Sequence, residues 1–97
     1  MAEASGVQVT RNEAEEQFEA ITDAGKGVLT YAEKDGKLYV LHTEVPEALE
    51  GQGIGGALVR AAVEHARGQG VKVVPFCPFA KAWLQRHHDY DDMVGTE

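Results

Sequence analysis

The chain reads as an α/β (α+β) domain in which antiparallel strands come first, then a strand–helix–strand crossover and a closing helix, all on one mixed sheet. Three observations predict this. β-rich segments fill the first half, with Asp35-Gly36 between two of them as a two-residue hairpin signal. From Gly53 the apolar period turns helical, and Ile54, Ala57, Leu58, Ala61, Ala62 and Ala66 fall on one stripe. A short strand, Val71 to Val74, then leads through Pro-Phe-Cys-Pro-Phe into a second helix.

In order along the chain, residues 1–6 read as a frayed end. Short strands are expected around Val7 to Arg11 and Gln17 to Ile21, although the acidic run between them imitates a helix. Asp23-Ala24-Gly25 is a turn. Val28 to Glu33 and Lys37 to Val45 are the hairpin strands. Strict alternation in the second puts Leu38, Val40, His42 and Glu44 on one face and Tyr39, Leu41, Thr43 and Val45 on the other. Pro46 closes it, having no N–H for the ladder. Gly68 or Gly70 stops the long helix. Pro78 suits a first helical position, which makes Cys77 the N-cap of a helix over residues 78–87. On that helix Phe79, Ala82, Trp83 and Arg86 form the stripe expected to face the sheet. The tail from Asp89 is an irregular run or an edge strand.

A length of 97 residues allows one domain with a modest core. A net charge of −7, with nine scattered Lys and Arg, argues against a nucleic-acid surface and suits a basic partner. Cys77 is the one cysteine, so no internal disulfide forms, which fits a reducing, cytoplasmic setting. The start, MAEASGVQV, has no signal-peptide pattern, and no apolar stretch nears the roughly eighteen residues that span a membrane.

The informative stretch is EALEGQGIGGALVRA, residues 47–61. Gly51, Gly53, Gly55 and Gly56 bare the backbone N–H groups at a helix start, where an anion can sit. The alternative is a turn that merely lets an alanine-rich helix pack. Residues 51–56 match the dinucleotide fingerprint G-x-G-x-x-G, but the context does not. No strand runs directly into Gly51, and no carboxylate follows Val74 before Asp89. A P-loop fails sooner, for want of Gly-Lys-Ser/Thr.

The glycine run instead resembles the signature of the GNAT (GCN5-related N-acetyltransferase) superfamily, Gln/Arg-x-x-Gly-x-Gly/Ala at a strand-to-helix junction. Gly53-Ile54-Gly55 fill its second half, and Glu50 stands where Gln or Arg is usual. More widely, HTEVPEALEGQGIGGALV and VKVVPFCPFAKAWLQRHHDYDDMV resemble the small single-domain GNAT-like proteins described as N-acetyltransferase domain-containing. The resemblance implies a minimal GNAT-like fold and an N-acetyltransferase using acetyl-coenzyme A. The backbone of Gly51, Gln52, Gly53, Ile54, Gly55 and Gly56 would then hold the pyrophosphate. The pantetheine arm would lie between two splayed parallel strands, beside Thr43 and Val45. Arg86 is a further candidate for a phosphate at the rim. Such minimal forms lack the elements that build an acceptor pocket in larger relatives, so the acceptor is an amine or a protein lysine, not further named.

Acyl transfer to an amine needs a proton acceptor, an oxyanion donor and an acid for the leaving thiolate. His42 and Glu44 are the candidate proton acceptors, against a core histidine and a solvated glutamate. Cys77, at a helix N-cap that would favour its thiolate, is a candidate transient acyl acceptor or proton donor, against an inert buried cysteine. His87-His88-Asp89 gives no metal site, since adjacent helical residues point about 100° apart. Two further readings stay open: a coenzyme A-binding module without turnover, and an interaction protein whose acidic surface is the functional part.

Overall fold

Tight turns set the register of the sheet in the computed structural model, which describes residues 8–96. The frayed start read at residues 1–6 lies outside the described residues. Strands β1 (Gln8–Asn12), β2 (Gln17–Thr22), β3 (Gly25–Lys34) and β4 (Lys37–Glu44) follow one another antiparallel. Between β3 and β4, Asp35 and Gly36 have φ of 55° and 74°, the left-handed pair that a twisted two-residue hairpin requires. After a short 3-10 turn, Glu47–Leu49, helix α1 (Ile54–Gln69) crosses to β5 (Lys72–Pro75), which pairs parallel to β4. The strands thus lie in the order β1-β2-β3-β4-β5.

Gly70, not Gly68, ends α1. With φ of 73° its N–H turns back to Ala66 and Arg67, and the Val71 N–H also reaches the Ala66 carbonyl, at 3.0 Å. Val71 is spent on that closure, so β5 begins at Lys72, one residue later than its apolar run suggests.

Beneath α1, Phe18, Ala20, Leu29, Tyr31, Leu38, Val40 and Val73 form the sheet side of the core. The helix buries more than its alanine stripe. Val59 and Val63 are fully buried, because α2 (Pro78–Arg86) flanks α1, whereas Ala57 and Ala61 are half-buried. The buried set on α2 is Ala80, Trp83 and Leu84, an i, i+3, i+4 row. This corrects the expected stripe, since Phe79 and Arg86 stand on the exposed side. Gly27 lies directly under α1, where a Cβ would stand 2.9 Å from Ile54 Cγ2. Gly27→Ala is therefore expected to lower stability by about 1–3 kcal/mol. In a thermal melt of a domain this size each of those costs about 4–8 °C.

The tail is a 3-10 helix, His88–Met93, that buries Tyr90 and Met93 and then lays Val94 beside Val73 as a parallel bridge. The Gly95 N–H meets the Val73 carbonyl at 2.8 Å, so the outer edge of β5 is partly covered. Tyr90 donates its hydroxyl proton to Glu64 and accepts from Arg60 at 3.0 Å. Burial, with the Glu64 hydrogen bond, raises its pKa above the ordinary tyrosine value. A raised value means that the fold favours the neutral hydroxyl. This contribution is whole below the ordinary tyrosine range and is lost as pH rises through the raised one. Denaturation from about pH 9 to 11 should accordingly show a shallower fall of stability in Tyr90→Phe than in the native chain.

One irregularity redirects β4. Thr30 pairs with His42 but Tyr31 pairs with Val40, which leaves Leu41 as an extra residue. The bulge reverses the side-chain alternation beyond it, so the expected shared face of Leu38, Val40, His42 and Glu44 does not exist. Thr43, opposite buried Leu29, joins Leu38 and Val40 on the α1 side. His42 and Glu44 point away from α1, opposite Thr30 and Val28, and both are exposed.

Candidate functional site

The ladder between β4 and β5 stops at Val40 and Pro75. The Val40 carbonyl then accepts from both Phe76 N–H (3.0 Å) and Cys77 N–H (3.1 Å), which turns the chain out of the sheet and into α2. Pro75, with no N–H, cannot prolong the pairing. From there β4 runs on to Glu44 with β3 alone, so the parallel pair splits. Thr43 lines that split because the bulge aims it there.

Cys77 is the N-cap of α2 and is buried, at 4% exposure. Its thiol does not cap the helix. The Sγ instead donates to Thr43 Oγ1 at 3.4 Å, across the split. The expectation of a thiol turned onto free helix N–H groups is replaced by a Cys77–Thr43 pair that joins α2 to β4.

At the other side of the split is the start of α1. Pro46 and the 3-10 turn lead the chain there, with Leu49 buried as the anchor. Gly51 and Gly53 have φ of 81° and 77°. In that region an L side chain costs roughly 1–2 kcal/mol, so these two glycines answer to backbone shape. Gly53 is an N-cap without a side-chain cap, and no acidic residue occupies the first turn. The Ala57 N–H donates to the Gly53 carbonyl at 3.0 Å and is the first intrahelical donor, so the N–H groups of Ile54, Gly55 and Gly56 before it have no intrahelical acceptor. They give onto a cleft of ≈ 410 Å³ walled by Thr43, Val45, Leu49 and Phe79. Three uncapped N–H groups at the positive end of a helix dipole are suited to an anion, and the apolar walls to an uncharged arm attached to it.

Of the residues singled out from sequence, the fold brings Thr43, Val45, Gly51, Gly53, Ile54, Gly55 and Gly56 to this cleft. Gln52 is exposed and its Nε2 bonds the Ala48 carbonyl at 3.4 Å, away from the lining. Arg86 stands exposed in the last turn of α2, at the end opposite Phe79, and does not line the cleft either. His42 and Glu44 lie across the sheet from it. Leu49, Glu50 and Phe79 line it without having been candidates. The signal for Phe79 was its place one residue after Pro78, but its aromatic character directed it to the core.

A larger cavity, ≈ 560 Å³, lies between β5, α2 and the tail and is lined by Val74, Phe76, Leu84 and Val94 among others. It contains none of the candidate residues and no free helix start. The smaller cleft is the one that gathers the glycine run with Thr43 and Val45. Among the described residues no group of three or more His, Cys, Asp or Glu is placed to hold a metal ion, and no helix is long and apolar enough to cross a membrane.

A parallel strand pair that splits beside a glycine-built, uncapped helix start defines the GNAT-like class of α/β fold. The chain matches the GCN5-related N-acetyltransferase family over residues 17–93, and it belongs to that family. Acetyltransferase is the class of activity that this membership carries. Among solved structures it is similar to the solution NMR structure of a GCN5-like protein from Staphylococcus aureus, provisionally assigned as an N-acetyltransferase. The two are 29% identical with a TM-score of 0.73, over 96% of this chain and 92% of that one. No curated protein matches the chain.

Proposed function

We propose that the cleft binds coenzyme A and acetyl-coenzyme A and that the protein is a cytoplasmic enzyme moving the acetyl group to an amine or a protein lysine. The observation that carries this is the uncapped, glycine-built start of α1 opening on the β4–β5 split. The residues suit the ligand. The N–H groups of Ile54, Gly55 and Gly56 would take the pyrophosphate, and Val45, Leu49 and Phe79 the pantetheine arm. When bound, acetyl-coenzyme A supplies a thioester, an acyl group activated toward an amine. His42 and Glu44, on the opposite side of β4, would accept the proton of an incoming ammonium. Cys77 would hold a proton at the split for the departing thiolate, or take the acyl group itself.

The test is an NMR titration of the labelled protein with coenzyme A and acetyl-coenzyme A, followed by turnover on a panel of amines and lysine peptides. Shifts are expected at residues 51–56, at 43–45 and at Cys77, with transfer to at least one acceptor. No shifts at millimolar ligand would sink the cofactor reading. Shifts without transfer to any acceptor would favour the second reading, a binding module without turnover. The position of Glu50 favours that second reading, because it sets a carboxylate on the lining that an anion must approach. Glu50→Gln is expected to tighten coenzyme A binding by about two- to fivefold, the worth of one exposed charge, with the gain shrinking in high salt. Calorimetry at two ionic strengths would measure it.

A further inference from the structure

We infer that Gly55 and Phe79 form an interlock that builds one wall of the cleft. The ring holds the apolar, thiol-bearing arm of the ligand, and residue 55 is glycine to seat the ring rather than to admit the anion. This rests on the reading that the cleft takes coenzyme A.

The glycines of the run are not equivalent. Gly51 and Gly53 are left-handed, whereas Gly55 is not among the glycines with positive φ, so its backbone shape does not call for glycine. What calls for it is a neighbour. A Cβ at residue 55 would stand 2.6 Å from Phe79 Cζ and 2.8 Å from Cε2, distances at which one of the two must move. Phe79 is the second residue of α2, after the N-cap Cys77 and Pro78. The first turns of the two helices therefore meet ring against glycine.

Phe79 also remains 43% exposed while lining the cleft, a large apolar surface that the fold itself leaves uncovered. Beside it are the free N–H groups of α1. The site thus has a charged-head side and an apolar-arm side, and Gly55 lies on the boundary between them. The clashing atoms belong to the free end of a side chain with two torsions, partly open to solvent. A methyl group at residue 55 would swing the ring out of the cleft rather than break α1, and alanine is the better helix former. Gly55→Ala should therefore keep the fold and lose the wall.

Calorimetry of the full chain would compare two ligands: acetyl-coenzyme A, and its nucleotide half 3′-phospho-ADP, which has the pyrophosphate but no arm. Melting curves would check the fold of each variant. Gly55→Ala and Phe79→Ala are each expected to weaken acetyl-coenzyme A by about tenfold and change the nucleotide half by less than about twofold. The double variant should bind no more weakly than Phe79→Ala alone, because both changes remove the same wall. Phe79→Leu, which keeps an apolar side chain, should recover part of the loss. If Gly55→Ala weakens the nucleotide half as much as the whole ligand, glycine serves the anion and the inference is overturned. It is overturned equally if Phe79→Ala binds acetyl-coenzyme A as the native chain does. A native chain that binds neither ligand is a separate result, which removes the cofactor reading and this inference with it.

Discussion

Cys77→Ala should leave acetyl-coenzyme A binding within about twofold and lower acetyl transfer by about 10²-fold or more, the usual worth of a positioned proton donor or nucleophile. The asymmetry follows from where the thiol sits. It is 4% exposed and one hydrogen bond from Thr43, behind the lining of the cleft rather than on it. Its removal takes no wall from the ligand but takes the one sulfur from the place where the strands part. Cys77→Ser keeps a donor toward Thr43 Oγ1 and should retain more activity if the role is acid, but little if the sulfur must accept the acyl group. Steady-state rates for both variants on one established acceptor make the measurement. Full turnover in Cys77→Ala would reduce the residue to a member of the buried core.

The largest loss of stability is expected from Trp83→Ala, about 3–5 kcal/mol for an aromatic removed from a packed core. Trp83 is 2% exposed and joins three parts of the molecule. His87 stacks on it at 3.7 Å between centroids, Tyr90 lies at 5.9 Å, and the Arg60 guanidinium of α1 stands 5.3 Å from its ring. Domains of this kind are stable by roughly 5–15 kcal/mol, so such a loss takes much of the total. Urea unfolding followed by circular dichroism should show the midpoint falling sharply, with Trp83→Phe between the two. A midpoint within experimental error of the native chain would mean that α2 and the tail are held by something else.

How far the sequence foretold this depends on whether a residue's task is local. Asp35-Gly36, Pro46 and Pro78 act on their own backbone, and each marks in the structure the boundary it marks in the sequence. The left-handed turn at Gly51 and Gly53 is local too, which is why the glycine run led to the cleft. Leu41 had no such mark. Alternation continues through it in the sequence, and only pairing with β3 makes it the extra residue, so His42 and Thr43 were assigned to the wrong faces. Arg86 was proposed by neighbourhood in the chain, but the direction of a long polar side chain is settled by tertiary surroundings. Phe79 failed in the opposite sense. An aromatic residue after a helix-starting proline is ordinarily core, and nothing local says that a glycine twenty-four positions earlier leaves room for its ring.

The extra residue at Leu41 has a topological consequence. Adjacent residues of a strand face opposite sides of the sheet, so the register alone settles which side each one serves. Here the single insertion decides which of them lies on the α1 side, giving that place at the split to Thr43 and the opposite one to His42. Ligands meeting there would approach through separate entrances and touch only at the gap between strands. Had Leu41 kept its place in the alternation, the two entrances would be exchanged with the composition of the strand unchanged.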